Sequence, residues 1–378
     1  MYDTYLSMKH LLDCVNTVKS DKAKSEEERI EEVKKLLEQA NQLPSKFGED
    51  KELYSQLVYS VADFLIDNDQ DDEALELFYQ HLNLCEELYG PDSIRSVDSL
   101  CNIGSTYLFA NPAKALDFFM KALTIREAHP DANQSDTMNN YLIIGFAYKF
   151  MGNTQLAIDY FKKAQEVSRN LGNMEEVFKT QRSIAEAYES KGLHKEAIQN
   201  YHKMLEIASS MEDEDVDIAH VYNAIGKVWL AAEDLQRALE NVTKAAEIAE
   251  KEQGYFSEET GTYYYNAGVI SLKMNDLQHL LEHSDKALEI REKLLEDDDP
   301  DLAETYLMCG LAQAWKKDIP NALHYLQKSL NINEDWFGSD SEEVKTISDI
   351  MDSITQYGIE NHESLTALLK DWGDEHLN

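Results

Sequence analysis

Proline and glycine are scarce, at 6 and 15 of 378 residues. So few turn formers exclude a turn-rich β protein. Cysteine is scarcer still. Cys14, Cys85, Cys101 and Cys309 lie far apart and form no Cys-x-x-Cys, so they read as free thiols of a reducing compartment. Positive charge is outweighed, with 35 Lys and Arg against 72 Asp and Glu, a formal net charge of −37. Nucleic acid and anionic membrane are poor partners for such a surface, because binding them relies on Lys and Arg displacing counterions. There is no run of about 18 apolar residues and no basic-then-apolar leader segment. Phosphate loop, dinucleotide fingerprint and nucleophile elbow are all missing. No Gly/Ser/Pro-rich linker divides the chain, which reads as one continuous body.

What the chain has is a period. Ala62, Gly104, Gly145, Ala185, Gly226, Gly268 and Gly310 follow one another at intervals of 40 to 42 residues. Ala74, Ala157, Ala197, Ala238 and Ala322 come 12 residues later; unit two has Ala115 after 11, and unit six has Leu280. Aromatics accompany both positions: Tyr107, Tyr148, Tyr188 and Trp229 beside the first, Phe78, Phe119, Phe161 and Tyr201 beside the second. A fixed period of this size marks stacked helical repeats. Apolar residues, 43% of the chain, suffice for a continuous core.

The units resemble the tetratricopeptide repeat (TPR), two antiparallel helices crossing at small residues. Unit three is the clearest: Tyr141, Ile144, Gly145, Tyr148, a turn at Gly152, then Ala157, Phe161 and Ala164. A side chain larger than a methyl at the crossing, near Ala157, is expected to push the helices apart. The usual repeat is about 34 residues, so each helix here is expected to gain about one turn. HEAT and armadillo repeats share the length but not the small–aromatic–small signature. The stretch Ala287–Gly310, with Asp299, Pro300 and Asp301 at its cap, resembles the kinesin light chain branch of the family. Leu84–Gly104 and Asn331–Ile347 are weaker copies, and Arg169–Asn173 resembles the repeats of spindle-orientation and synaptic scaffold proteins. The resemblance implies an all-α fold, a right-handed TPR α-solenoid of about seven helix-turn-helix repeats with capping helices at both ends. Residues 1–48 are expected to form an N-terminal helical hairpin, a degenerate repeat or cap, 49–340 the superhelix, and 341–378 the C-terminal caps. Ser25 with Glu28 reads as a capping box, Pro44 as a helix stop, and Glu342–Gln356 and Glu363–Trp372 as closing helices.

Several patterns invite a metal reading. His279, Glu282 and His283 match H-x-x-E-H, but the segment falls in a repeat helix and no third ligand stands out. Asp67, Asp69 and Asp71 alternate like a calcium loop, yet Asp72 stands where that loop needs glycine and Phe78 where it needs glutamate. The acidic runs Glu212–Asp217 and Glu296–Asp301 read as solvated loops with a capping role. No catalytic residue, metal or cofactor is expected.

Function then falls to the groove that helix A lines in this repeat type. Counting the small residue as the eighth of its unit, the second, fifth, sixth, ninth and twelfth should point inward. They include Asn102 in unit two, Asn139, Phe146 and Lys149 in unit three, and Lys179, Arg182 and Glu186 in unit four. Unit five gives His220, Asn223 and Lys227, unit six Thr262, Tyr265 and Asn266, and unit seven Leu307 and Leu311. The kinesin-like resemblance implies that Asn102 and Asn266 stand where related light chains hold a peptide backbone, with Asn223 one position away. An asparagine amide both donates and accepts. Lys149, Lys179, Arg182 and Lys227 form a basic group in an acidic chain, unless acids such as Glu186 pair with them.

The reading is a non-catalytic scaffold or adaptor that binds a peptide segment of a partner protein, with an acidic stretch or free C-terminal carboxylate opposite the basic residues. The alternative is a peptide-gated regulator joining an N-terminal helical bundle to a TPR sensor. The expected location is the cytoplasm, with the cytoskeleton as a candidate site of association, and no nucleic acid or membrane insertion is expected.

Overall fold

Asparagine or aspartate caps many of the helices, and a left-handed residue follows the first helix in six of the seven hairpins. The computed structural model describes residues 2–43, 48–129, 133–211 and 217–357. Every regular element among them is helical: seventeen α-helices and a single 3₁₀ turn at Ile94–Ser96. They fall into α1 (Tyr2–Lys19) and α2 (Glu26–Gln42), followed by seven hairpins. The hairpins are α3 (Gly48–Ile66) with α4 (Asp71–Tyr89), α5 (Val97–Tyr107) with α6 (Pro112–Glu127), and α7 (Gln134–Phe150) with α8 (Thr154–Asn170). Then come α9 (Met174–Glu189) with α10 (His194–Ser210), and α11 (Ile218–Ala231) with α12 (Leu235–Glu252). The last two are α13 (Glu258–Lys273) with α14 (Leu277–Leu294), and α15 (Pro300–Trp315) with α16 (Ile319–Phe337); α17 (Glu342–Tyr357) follows. The helices of the third and fourth hairpins run 16 or 17 residues, the length the long period implies.

The chain divides into two compact units, 1–187 and 188–378, inside α9 rather than at a linker. In the first, α1 packs on α3 as well as on α2. The Ser25–Glu28 capping box forms, with Glu28 N–H donating to Ser25 Oγ and Ser25 N–H to Glu28 Oε2. Pro44 and the stretch Glu363–Trp372 lie outside the described residues, as does the acidic run 212–216.

The turn inside six of the seven hairpins repeats one device. Seven residues after the small residue the backbone turns left-handed at Asp69, Gly152, Gly192, Glu233, Asn275 and Lys317, with φ between 55° and 74°. The next amide closes a Schellman loop, as in Asn153 N–H to Tyr148 O (2.8 Å) and Asp318 N–H to Gln313 O (2.9 Å). That same next residue then caps helix B: Asn153, Asp234, Asp276 and Asp318 each accept an N–H from its first turn. In the second hairpin Asn111, which follows the turn 108–110 after α5, has φ −152° and caps α6 itself. The one-residue shorter spacing from Gly104 to Ala115 is thereby explained: the left-handed residue is the one left out.

Packing at the crossing is closer than the alanine spacing suggests. A Cβ on Gly145 would sit 2.5 Å from Phe161 Cε1 and 2.6 Å from Cδ1. The close neighbour is thus the aromatic one turn beyond Ala157, and Gly104 meets Phe119 in the same way. In the sixth hairpin the partner changes. A Cβ on Gly268 would lie 2.6 Å from Met308 Sδ of α15, and Leu280 takes the alanine's place as a fully buried core residue.

Candidate functional site

The groove-position residues of the first helix in each hairpin differ between the two units. In the first unit, Asn102 on α5 is half-buried and bonds the Tyr59 phenol, which burial pushes up and this bond draws down. Asn139 on α7 is exposed, while its neighbour Asn140 is buried and donates to Phe119 O at 3.2 Å. Phe146 meets Phe161 edge to face at 5.1 Å, so part of its ring belongs to the crossing.

The basic group is largely neutralised within the unit. Lys149 Nζ lies 3.0 Å from Glu186 Oε2. Lys179 pairs with Glu175 at 2.6 Å and Glu176 at 3.4 Å on its own helix, and its hydrogen bond to Glu175 raises its pKa. Arg182 stacks over Phe178 at 5.8 Å, and its Nε is buried without a hydrogen-bond partner. A four-residue basic wall is therefore corrected: carboxylates three, four and 37 residues away reach two of its members.

In the second unit α11 carries one stripe, His220, Asn223 and Lys227, at helical spacings of three and four. Asp217 caps the helix by accepting His220 N–H at 2.8 Å. From Ile218 to Ala232 there is no carboxylate. His220 is exposed, Lys227 half-buried and Asn223 7% exposed. Behind Asn223 stands Asn266 of α13, whose Nδ2 donates to Asn223 Oδ1 at 3.2 Å. Asn266 has no accessible surface, so it cannot touch a ligand directly and can act on one through Asn223. Nothing in the repeat period distinguishes an inward position that is open from one that is covered.

The last two hairpins show how far covering goes. Tyr263 to Leu272 of α13 and Thr305 to Ala312 of α15 are buried without a break. Tyr265, Leu307 and Leu311 share a core with Ile347, Ile350 and Ile354 of α17. Tyr265 also lies under Arg291, 4.5 Å away, and burial raises its pKa far. The inward apolar residues of units six and seven are packing residues and offer no open groove.

The metal patterns dissolve into separate roles. His283 is buried, which lowers its pKa to about 4, and its Nδ1 lies 3.3 Å from Ser271 Oγ. His279 Nδ1 contacts Asp276 at 2.7 Å, and Glu282 pairs with Lys286. Asp69 supplies a left-handed turn residue and Asp71 opens α4. An open pocket of about 280 Å³ lies among the ends of α6, α7 and α8, lined by Arg126, His129, Tyr141 and Asn170 among others. It includes no predicted site residue; Arg126 there is held by Asp98 and Asp136. Sequence reasoning missed Phe109 and Phe150, five residues after Gly104 and Gly145, whose exposed rings touch at 5.1 Å. That regular offset was the available signal.

Comparison with known proteins agrees with the geometry. The tetratricopeptide repeat pattern matches residues 54–128, 136–210, 176–251 and 259–335. The fold is similar to apo RapI (14% identity, 94% of this chain and 99% of that one, TM-score 0.57). It is also similar to the C-terminal part of a TPR repeat-containing protein from Cytophaga hutchinsonii (15% identity, 76% and 98%, TM-score 0.54). Kinesin light chain TPR-like repeats from Podosopora anserina align at 15% identity over 54% of this chain and 98% of theirs, with a TM-score of 0.45. No curated protein matches the sequence. None of the described helices is long and apolar enough to cross a membrane. With the repeat pattern spanning well over half of the sequence, and small residues setting the hairpin crossings, the chain belongs to the tetratricopeptide repeat family.

Proposed function

We propose that this protein binds a peptide segment of another protein in the groove lined by its first-in-hairpin helices and performs no chemistry. The observation that carries the reading is the α11 stripe. A buried amide, Asn266, holds the Asn223 side chain by its oxygen, leaving the Asn223 amide hydrogens to meet a peptide carbonyl. Burying two amides is costly unless each finds a partner, so the pair reads as a built binding element. His220 and Lys227 flank it on a helix free of carboxylates, and among the described residues neither is ion-paired. A ligand with an acidic side chain or free carboxylate fits opposite Lys227. In the first unit Asn102, Asn139 and Phe146 form the corresponding face, with the half-buried Arg182 as its cation. Residues 1–48 serve as an N-terminal cap, 49–340 as the repeats and 341–378 as the closing segment.

The test is a random displayed peptide library selected on the whole chain. Selected peptides should bind Asn223→Ala and Lys227→Glu proteins at least about tenfold more weakly, equivalent to about 1.4 kcal/mol. Lys179→Glu should bind as the parent does. If both α11 variants bind every selected peptide normally, the reading is wrong. The second reading, a peptide-gated regulator, rests on α1 packing on α3, where Lys19 reaches Ser60 O and Asp63. It requires the molecule to compact when peptide is added, which small-angle scattering measures.

A further inference from the structure

The acidic run that ends α14 lies beside a group of exposed apolar side chains at the end of α16. Trp336 and Phe337 are 58% and 53% exposed, and Leu294 at the end of α14 is 44% exposed. Trp336 Nε1 donates to the carbonyl of Asp298, 38 residues earlier in the chain. That bond fixes the indole against the loop, so the ring is held outward and is not a loose end. Large exposed aromatics held in place mark interaction surfaces.

Charge decides what such a surface accepts. Glu296, Asp297 and Asp298 in the loop that receives the indole, and Asp335 and Asp340 close to Trp336 in sequence, are all exposed. The nearby ion pairs, Arg291–Asp301 and Lys328–Glu292, leave them out. The close cations are already engaged: Lys293 sits 3.5 Å over the Phe256 ring, and Lys345 donates to the Asp340 carbonyl. A second copy of this chain would bring two such acidic rims together, which like charge opposes. A lysine or arginine would instead meet both carboxylates and an indole face, where cation–π attraction adds to ion pairing. Its apolar neighbours would cover Phe337 and Leu294. At −37, the chain as a whole attracts such a partner from a distance.

We propose that this edge, formed by the α14–α15 and α16–α17 loops, docks a basic amphipathic segment of a partner protein. The site lies apart from the α11 stripe and stands without it.

The probe is a fluorescein-labelled amphipathic peptide of Lys and Leu at helical spacing, with an equally charged Lys/Ser peptide as control. Binding to the whole chain is read by anisotropy. The parent should bind the Lys/Leu peptide at least about tenfold more tightly than the Lys/Ser peptide. Trp336→Ala/Phe337→Ala and Asp297→Asn/Asp298→Asn/Asp335→Asn should each lose about tenfold. Asp117→Asn/Asp159→Asn/Glu166→Gln changes charge equally on exposed positions of the first unit, and should lose less than about twofold. Circular dichroism melts confirm that each variant is folded; the carboxylate variants touch only exposed groups. The proposal is overturned if the peptide does not bind, or if edge and first-unit variants weaken it equally, which indicates bulk charge. It is also overturned if the parent self-associates through Trp336 and Phe337, which assigns the edge to a second copy.

Discussion

Gly145 offers the most direct probe of the hairpin crossing. Ordinary carbon contacts lie at about 3.5–4.0 Å. A Cβ there would approach Phe161 to 2.5, 2.6 and 3.1 Å, about 1 Å too close. Phe161 is fully buried and meets Phe146 edge to face at 5.1 Å, so its ring has no free direction in which to move. Overpacking of this kind costs about 1–3 kcal/mol. Replacing glycine inside a helix returns about 1 kcal/mol of propensity. Gly145→Ala should therefore destabilise by about 0–2 kcal/mol, and Gly145→Leu by more. Urea unfolding followed by circular dichroism measures both. The specific check is a double-mutant cycle with Phe161→Leu. Removing the ring makes room, so the cost of Gly145→Ala should fall by about 1 kcal/mol in that background. Parent-like midpoints for Gly145→Leu, or zero coupling to Phe161, would refute the packing argument.

Gly268→Ala should cost less than Gly145→Ala in the same urea assay, because it meets the thioether of Met308, a flexible side chain that can turn aside. Lys317→Gly should raise stability by about 0.5 kcal/mol, the relief of left-handed strain (about 1–2 kcal/mol) less the added freedom of the unfolded chain (about 0.4–1 kcal/mol); a lower melting temperature would contradict the φ of 68° there. His283 titrates near 4 when folded because burial disfavours its charged form, opposed by Glu282 and reinforced by His279 and Lys286. Unfolded, it titrates near 6.5. The unfolded chain thus takes up a proton in this window that the folded one refuses, and stability is lost as pH falls from 6.5 towards 4. His283→Gln should remove about 2 kcal/mol of that dependence by pH 5; parallel pH profiles for parent and variant would count against the burial.

The fold was legible because glycine and alanine recur where two helices touch, and that is a property of residue size alone. The Asp and Asn caps were legible in part, since Asp299 sits in a Pro-Asp cap pattern, but Asp234, Asp276 and Asp318 look like ordinary surface charge until the turn is seen. The left-handed residues were hidden. Glu233 and Lys317 carry no conformational signature, whereas the glycine at Gly152 does. Sequence spacing selected candidate positions but did not show the state of the side chains at them. Inward spacing selected Asn223 and Asn266 alike, yet one reaches the surface and the other supports it from behind. Spacing likewise cannot show that Lys179 is neutralised by acids on its own helix, or that Leu307 and Leu311 are covered by α17.

The central claim is that peptide lies against α11 and is held by Asn223. A library-selected peptide carrying a photo-activated benzophenone, cross-linked to the whole chain and mapped by mass spectrometry, tests it most directly. The account predicts adducts on α11 near His220, Asn223 and Lys227, lost when Asn223→Ala weakens binding. Adducts confined to the second helices of the hairpins, unchanged in Asn223→Ala, would contradict it.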